Sequence, residues 1–83
     1  VTLKKVTREE ALAELEELFE EVESWDEYLS HLGYYYNYAQ DSGAPKDFLD
    51  ELHKGIKEGN DELNEVREAY EAQYYYCHKR GWV

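Results

Sequence analysis

Nine tyrosines, three histidines and one cysteine are the residues of this 83-residue chain with the most evident chemistry. Two pairs have metal-ligand character, Asp50-x-x-His53 and Glu27 with His31. Their i, i+3 and i, i+4 spacings put both members on one helix face. A di-metal carboxylate bundle needs Glu-x-x-His on two helices and a further core-facing Glu on each of two others. Only a half-match is present, so no metal site and no cofactor is expected. Cys77 and His78 are adjacent, and neighbours on a helix point about 100° apart, which separates thiol from base. Cys77 also falls on an apolar stripe, where cysteine acts as a small hydrophobe. There is no Ser-His-Asp arrangement, phosphate-cradling glycine loop or cofactor motif. The residues give no positive sign of an enzyme.

The tyrosines carry the stronger signal. Four of the eight residues from His31 to Tyr38 are tyrosine, and Tyr74-Tyr75-Tyr76 follows near the C-terminus. Helical spacing places His31, Tyr34, Tyr35 and Tyr38 on one face and Leu29, Leu32, Tyr36 and Ala39 on another. The second face reads as core, as do Tyr70 and Tyr74. Three consecutive helical residues spread over about 200°, so Tyr34, Tyr35, Tyr38, Tyr75 and Tyr76 cannot all face inward. Tyrosine combines a large rigid contact area with a polar tip, which suits an interface anchor. The candidate binding residues are therefore His31, Tyr34, Tyr35, Tyr38, Tyr75 and Tyr76, and the expected partner is a protein.

Charge narrows the partner. The net charge is -11, from 20 acids and 9 bases. Phosphate contacts need Lys and Arg, so nucleic acid is not expected as a partner, and neither is an anionic membrane surface. From Glu9 to Pro45 there are eleven acids and no Lys or Arg. Glu10–Glu14, Glu16–Glu20, Glu17–Glu21 and Glu23–Glu27 are like-charge i, i+4 pairs, each costing about 0.2–0.5 kcal/mol. This face reads as solvated. Its alternative role is a dock for a basic partner through Glu16, Glu20, Glu23 and Asp26, as in an immunity protein, antitoxin or nucleic-acid mimic. With one cysteine no internal disulfide can form, so the scaffold does not depend on an oxidising compartment. No apolar run approaches the ~20 residues that span a bilayer. The first eight residues lack the apolar block of a signal peptide. The chain opens on Val1 without Met, as expected where a tag or leader has been removed.

These side chains need elements to hold them, and the length allows one helical domain, 1–83. Val1–Val6 reads as a short leader. Thr7-Arg8-Glu9-Glu10 is a capping box, opening a helix near 8–23 with Ala11, Leu12, Leu15, Leu18, Phe19 and Val22 in helical period. Ser24-Trp25-Asp26-Glu27 is a second box, opening a helix near 25–41. Gly43 and Pro45 make the clearest break. A helix near 45–58 follows, with Phe48, Leu49, Leu52 and Ile56 inward. Gly59-Asn60-Asp61-Glu62 can separate it from a last helix near 61–80, with Leu63, Val66, Tyr70, Tyr74 and Cys77 inward. The expectation is an all-α fold, a compact antiparallel bundle of three to four helices. In it, both tyrosine runs come to one end and form a single patch containing Tyr35 and Tyr75. A monomer suits that fold.

The alternative is a long antiparallel helical hairpin. A heptad stripe runs unbroken through Ala11, Leu15, Leu18, Val22, Trp25, Leu29, Leu32, Tyr36 and Ala39. Another runs through Leu49, Leu52, Ile56, Gly59, Leu63, Val66, Tyr70, Gln73 and Cys77. Such a hairpin leaves much of its apolar face wet and calls for a homodimer. It also moves the two tyrosine runs to opposite ends. Gly55 and Gly59 would then lie within a helix, costing about 1 kcal/mol each relative to Ala, unless they admit a bulky ring such as Trp25 close to the backbone.

Leu32-Gly33-x-x-Tyr36 is similar to the first-helix signature of tetratricopeptide repeats. The likeness covers those three positions, and Val66 and Arg67 stand where a second Leu-Gly would fall. The Glu-Leu-Glu-Glu-Leu run, capped helix starts, short loops and tyrosine-studded faces make the whole chain resemble a computationally designed or engineered small helical binder. That resemblance implies a rigid helical patch that binds a chosen protein surface. Gly55, Gly59 and free Cys77 depart from it and suggest a natural scaffold with a redesigned surface.

Overall fold

In the computed structural model, which describes residues 6–83, the chain folds as two long antiparallel helices packed side by side. α1 spans Arg8–Asp41 and α2 spans Lys46–Lys79, and the described residues contain no strand. The leader expected at Val1–Val6 lies, apart from Val6, outside the described residues. Thr7 is extended and its side-chain oxygen accepts from the Glu10 amide at 3.2 Å, which is the N-cap half of the expected capping box. α1 ends where expected. Gly43 takes φ 77°, and the amide of Ala44 bonds back to the carbonyl of Ala39 at 3.0 Å. This left-handed glycine closes off carbonyls that the helix end would otherwise leave free. Pro45, with ψ 148°, turns the chain into α2. The same device recurs at the other end, where Gly81 has φ 72° and Trp82 donates to the carbonyl of Cys77.

The compact bundle of three to four helices is thus corrected to the hairpin. Two local signals misled. Ser24 lies exposed in the middle of α1. A serine in a helix interior costs only about 0.5 kcal/mol relative to alanine, and the apolar stripe from Leu18 through Val22 and Trp25 to Leu29 continues across it. Gly59-Asn60-Asp61 likewise lies inside α2. Gly59 is buried against Leu29 and the Trp25 ring, so it serves close helix approach rather than termination. Gly55 has open space above it.

Every residue of both heptad stripes is buried or half-buried. Among the described residues only Ala11, Ala39, Leu63 and Cys77 are buried hydrophobics. The molecule measures 58 × 27 × 15 Å. Its radius of gyration is 18.2 Å, against about 12 Å for a compact chain of this length. The core is therefore a seam. Phe48 and Tyr74, expected to face inward, are exposed together with Phe19. Phe48 precedes the seam position Leu49, and Tyr74 follows Gln73. A third helix would cover such flanking positions, and a hairpin leaves them in water.

A polar contact joins the two helices near the open end. The side-chain amide of Gln73 donates to the carbonyl of Ala11 at 3.0 Å. Cys77, free and buried, brings its thiol to 3.8 Å from the same oxygen. Further along, Phe19 packs on Tyr70 and Tyr36 packs on His53.

Candidate protein-binding surface

α1 carries the first tyrosine run on its last three turns, where its seam residues Leu32, Tyr36 and Ala39 hold it against α2. Tyr36 is half-buried, as its place in the stripe requires. Tyr34, Tyr35 and Tyr38 are 80%, 50% and 67% exposed. His31 is exposed beside them, one turn before Tyr34 and Tyr35. A shallow depression of about 260 Å³ lies between Tyr34, Asn37, Tyr38 and Asp41. Tyr35 reaches the flank of the hairpin, where its ring meets Phe48 edge-to-face at 6.2 Å.

The second run is differently placed and differently occupied. Tyr75 lies opposite about residue 11 of α1, given that Gln73 and Cys77 both reach Ala11. Some 24 residues of α1 then separate that level from Tyr35, roughly 36 Å at the helical rise. The single patch expected to hold Tyr35 and Tyr75 is therefore not formed. Each ring of the second run also meets the side chain four residues on. Tyr74 stacks on His78 at 6.0 Å, Lys79 sits over Tyr75 at 5.7 Å, and the Arg80 guanidinium covers Tyr76 at 3.6 Å. Tyr76, half-buried, also meets Trp82 edge-to-face. This ladder lies at the helix end, where Lys79 also complements the helix dipole. Its i, i+4 spacing is readable in the sequence. The first run has no such cations.

Two residues join the exposed aromatic surface that sequence reasoning did not place there. Tyr28 is 53% and Phe48 41% exposed. Tyr28 stands seven residues before Tyr35, on the same flank, and packs edge-to-face on Trp25. The heptad spacing of Tyr28 and Tyr35 was the available signal. Phe48 could not be separated from a core residue without knowing the number of helices.

The acidic face is solvated. Glu16, Glu20 and Glu23 are exposed, and Asp26 pairs with Arg67 at 3.5 Å across the outer edge of the seam. Both partners of that pair are about half exposed, so it contributes at most about 1 kcal/mol. Among the described residues no group of three or more His, Cys, Asp or Glu is placed to hold a metal ion, and no helix is long and apolar enough to cross a membrane. His53 is occupied against the Tyr36 ring. Compared with protein-family models, with curated proteins and with solved structures, the chain has no match.

Proposed function

We propose that this chain is a non-enzymatic protein-binding module, designed or engineered, whose binding surface is the tyrosine cluster at the turn end of the hairpin. One observation carries the reading. Tyr34, Tyr35 and Tyr38 stand exposed at 80%, 50% and 67% on a continuous helix, and among the described residues no cation stacks on their rings. Exposed contiguous aromatic surface is costly to leave in water and marks interaction sites. The rings are carried on a rigid element, so little conformational entropy is lost when they dock. His31 borders the cluster. Tyr75 and Tyr76 drop to a secondary position, because they are remote and engaged by Lys79 and Arg80.

Affinity capture with the wild-type chain and with Tyr34→Ala, Tyr35→Ala and Tyr38→Ala variants tests this. The expected outcome is a protein retained by the wild type in high salt and lost with at least one variant, at a cost above about 1 kcal/mol. Tyrosine burial is nearly insensitive to ionic strength, whereas docking through Glu16, Glu20 and Glu23 is screened. A partner that ignores the tyrosine variants and is released by salt would move the site to the acidic face.

A further inference from the structure

The hairpin exposes more surface than a folded chain of its size should. Its accessible area is 6767 Å² for 9.9 kDa, against about 5,200 Å² from the scaling for compact monomers. The difference is about 1,600 Å², more than the ~800 Å² that each partner contributes to an interface of standard size. The chain has no disulfide, and small domains without such staples commonly complete their core by association.

Part of this exposed surface is a run of uncharged residues along one flank. Tyr28, Tyr35, Phe48 and Gly55 each precede a seam residue and share one flank of the hairpin, and none is charged. At mid-length Trp25 and Tyr28 pack edge-to-face at 5.8 Å as a ridge on α1. Between them and α2 lies a notch of about 310 Å³, walled by Trp25 and Tyr28 on one side and by Gly55, Glu58, Gly59 and Glu62 on the other, and open above Gly55. Ridge and notch therefore belong to one patch, which is the requirement for a self-complementary two-fold contact.

We propose that a second copy of this chain docks on this flank, the exposed Tyr28 ring of each copy entering the notch over Gly55 of the other. Ridge and notch are displaced mainly across the hairpin, so the two-fold axis that exchanges them runs along it. The turn ends then coincide. Each α1 lies antiparallel to the α2 of the other copy, giving a four-helix bundle in which all neighbouring helices are antiparallel. Tyr34 and Tyr38 stay on the outside while Tyr35 lies on the dimer flank, so the Tyr34→Ala and Tyr38→Ala variants distinguish the tyrosine binding surface from this dimer.

Sedimentation equilibrium from micromolar to millimolar concentration tests the proposal, with circular dichroism to follow helicity. The wild type should sediment as a dimer. Nothing lies within 4 Å of a Cβ built on Gly55, so Gly55→Leu fits the protomer but fills the notch. It should weaken dimerisation more than about tenfold, that is by more than 1.4 kcal/mol. Tyr28→Glu, on the opposite side of the contact, should do the same, while Gly55→Ala, too small to fill the notch, should preserve the dimer. A bis-maleimide should cross-link Ser42→Cys chains carrying Cys77→Ser, because the turns coincide. A monomer at every concentration, a dimer indifferent to both Gly55→Leu and Tyr28→Glu, or a dimer whose turns do not cross-link overturns the assignment.

Discussion

A Cβ placed on Gly59 would lie 2.6 Å from Cδ2 of Leu29 and 3.7 Å from Cζ3 of Trp25. The absence of a side chain at Gly59 is thus what lets α1 and α2 approach at the middle of the seam. The helix penalty of glycine, about 1 kcal/mol, is offset by this contact. The two helical glycines of α2 should therefore respond oppositely. Gly55→Ala should raise protomer stability by about 1 kcal/mol. Gly59→Val should lower it by about 2 kcal/mol through overpacking. Urea denaturation at fixed protein concentration checks both, and a stabilising Gly59→Val would refute the close-approach role.

Adjacent tyrosines should separate in the same way. Tyr36 is half-buried in the seam and packs on His53, so Tyr36→Ala should cost about 2 kcal/mol or more. Tyr34 and Tyr38 are largely exposed, and their alanine variants should stay within about 0.5 kcal/mol of the wild type. Thermal melting monitored at the helix band measures this. A larger loss for Tyr34→Ala than for Tyr36→Ala would reverse the assignment of the two faces.

The seam was legible in the sequence because its period is set by the helix itself. Every position from Ala11 to Ala39 and from Leu49 to Cys77 in the two heptad stripes is buried or half-buried. The turn was legible from Gly43 and Pro45, whose backbone preferences act locally. What misled were local signals whose meaning depends on tertiary context. Ser24 with Glu27 is a helix start only where the chain enters a helix, and Gly59 ends a helix only where nothing packs on it. The number of helices decides the fate of flanking residues such as Tyr28, Phe48 and Tyr74, and no local pattern encodes that number. The remoteness of Tyr75 from Tyr35 followed at once from the hairpin alternative, through the axial rise alone.

Gln73 is the polar member of its stripe, and its amide reaches the carbonyl of Ala11 at 3.0 Å. Sliding α2 by a heptad along α1 would strip the amide of this partner. Gln73→Ala should cost about 1 kcal/mol, the net worth of a typical hydrogen bond. Gln73→Leu, which substitutes apolar packing, should be closer to neutral in stability. It should loosen register instead, seen as faster amide exchange between Arg8 and Leu15. Unchanged exchange in Gln73→Leu would show that the seam alone fixes the pairing.

The last prediction concerns the acidic first half of α1. From Glu9 to Glu27 there are ten acids and no base, all on a single continuous helix. Repulsion between Glu16 and Glu20, and between Glu17 and Glu21, is not relieved by any Lys or Arg of α1 beyond Arg8. Salt screens such exposed charges, so protomer stability should rise with sodium chloride between about 0.05 and 0.5 M. Glu20→Lys should achieve part of this without salt. It replaces the repulsive pair with Glu16 by an attractive one in the favourable Glu-before-Lys order, a swing of about 0.4–1 kcal/mol. The gain should shrink at high salt, since both its parts are electrostatic. Parallel melts of the wild type and Glu20→Lys at low and high salt measure it. A gain that persists unchanged in high salt would trace it to helix propensity or packing and not to charge.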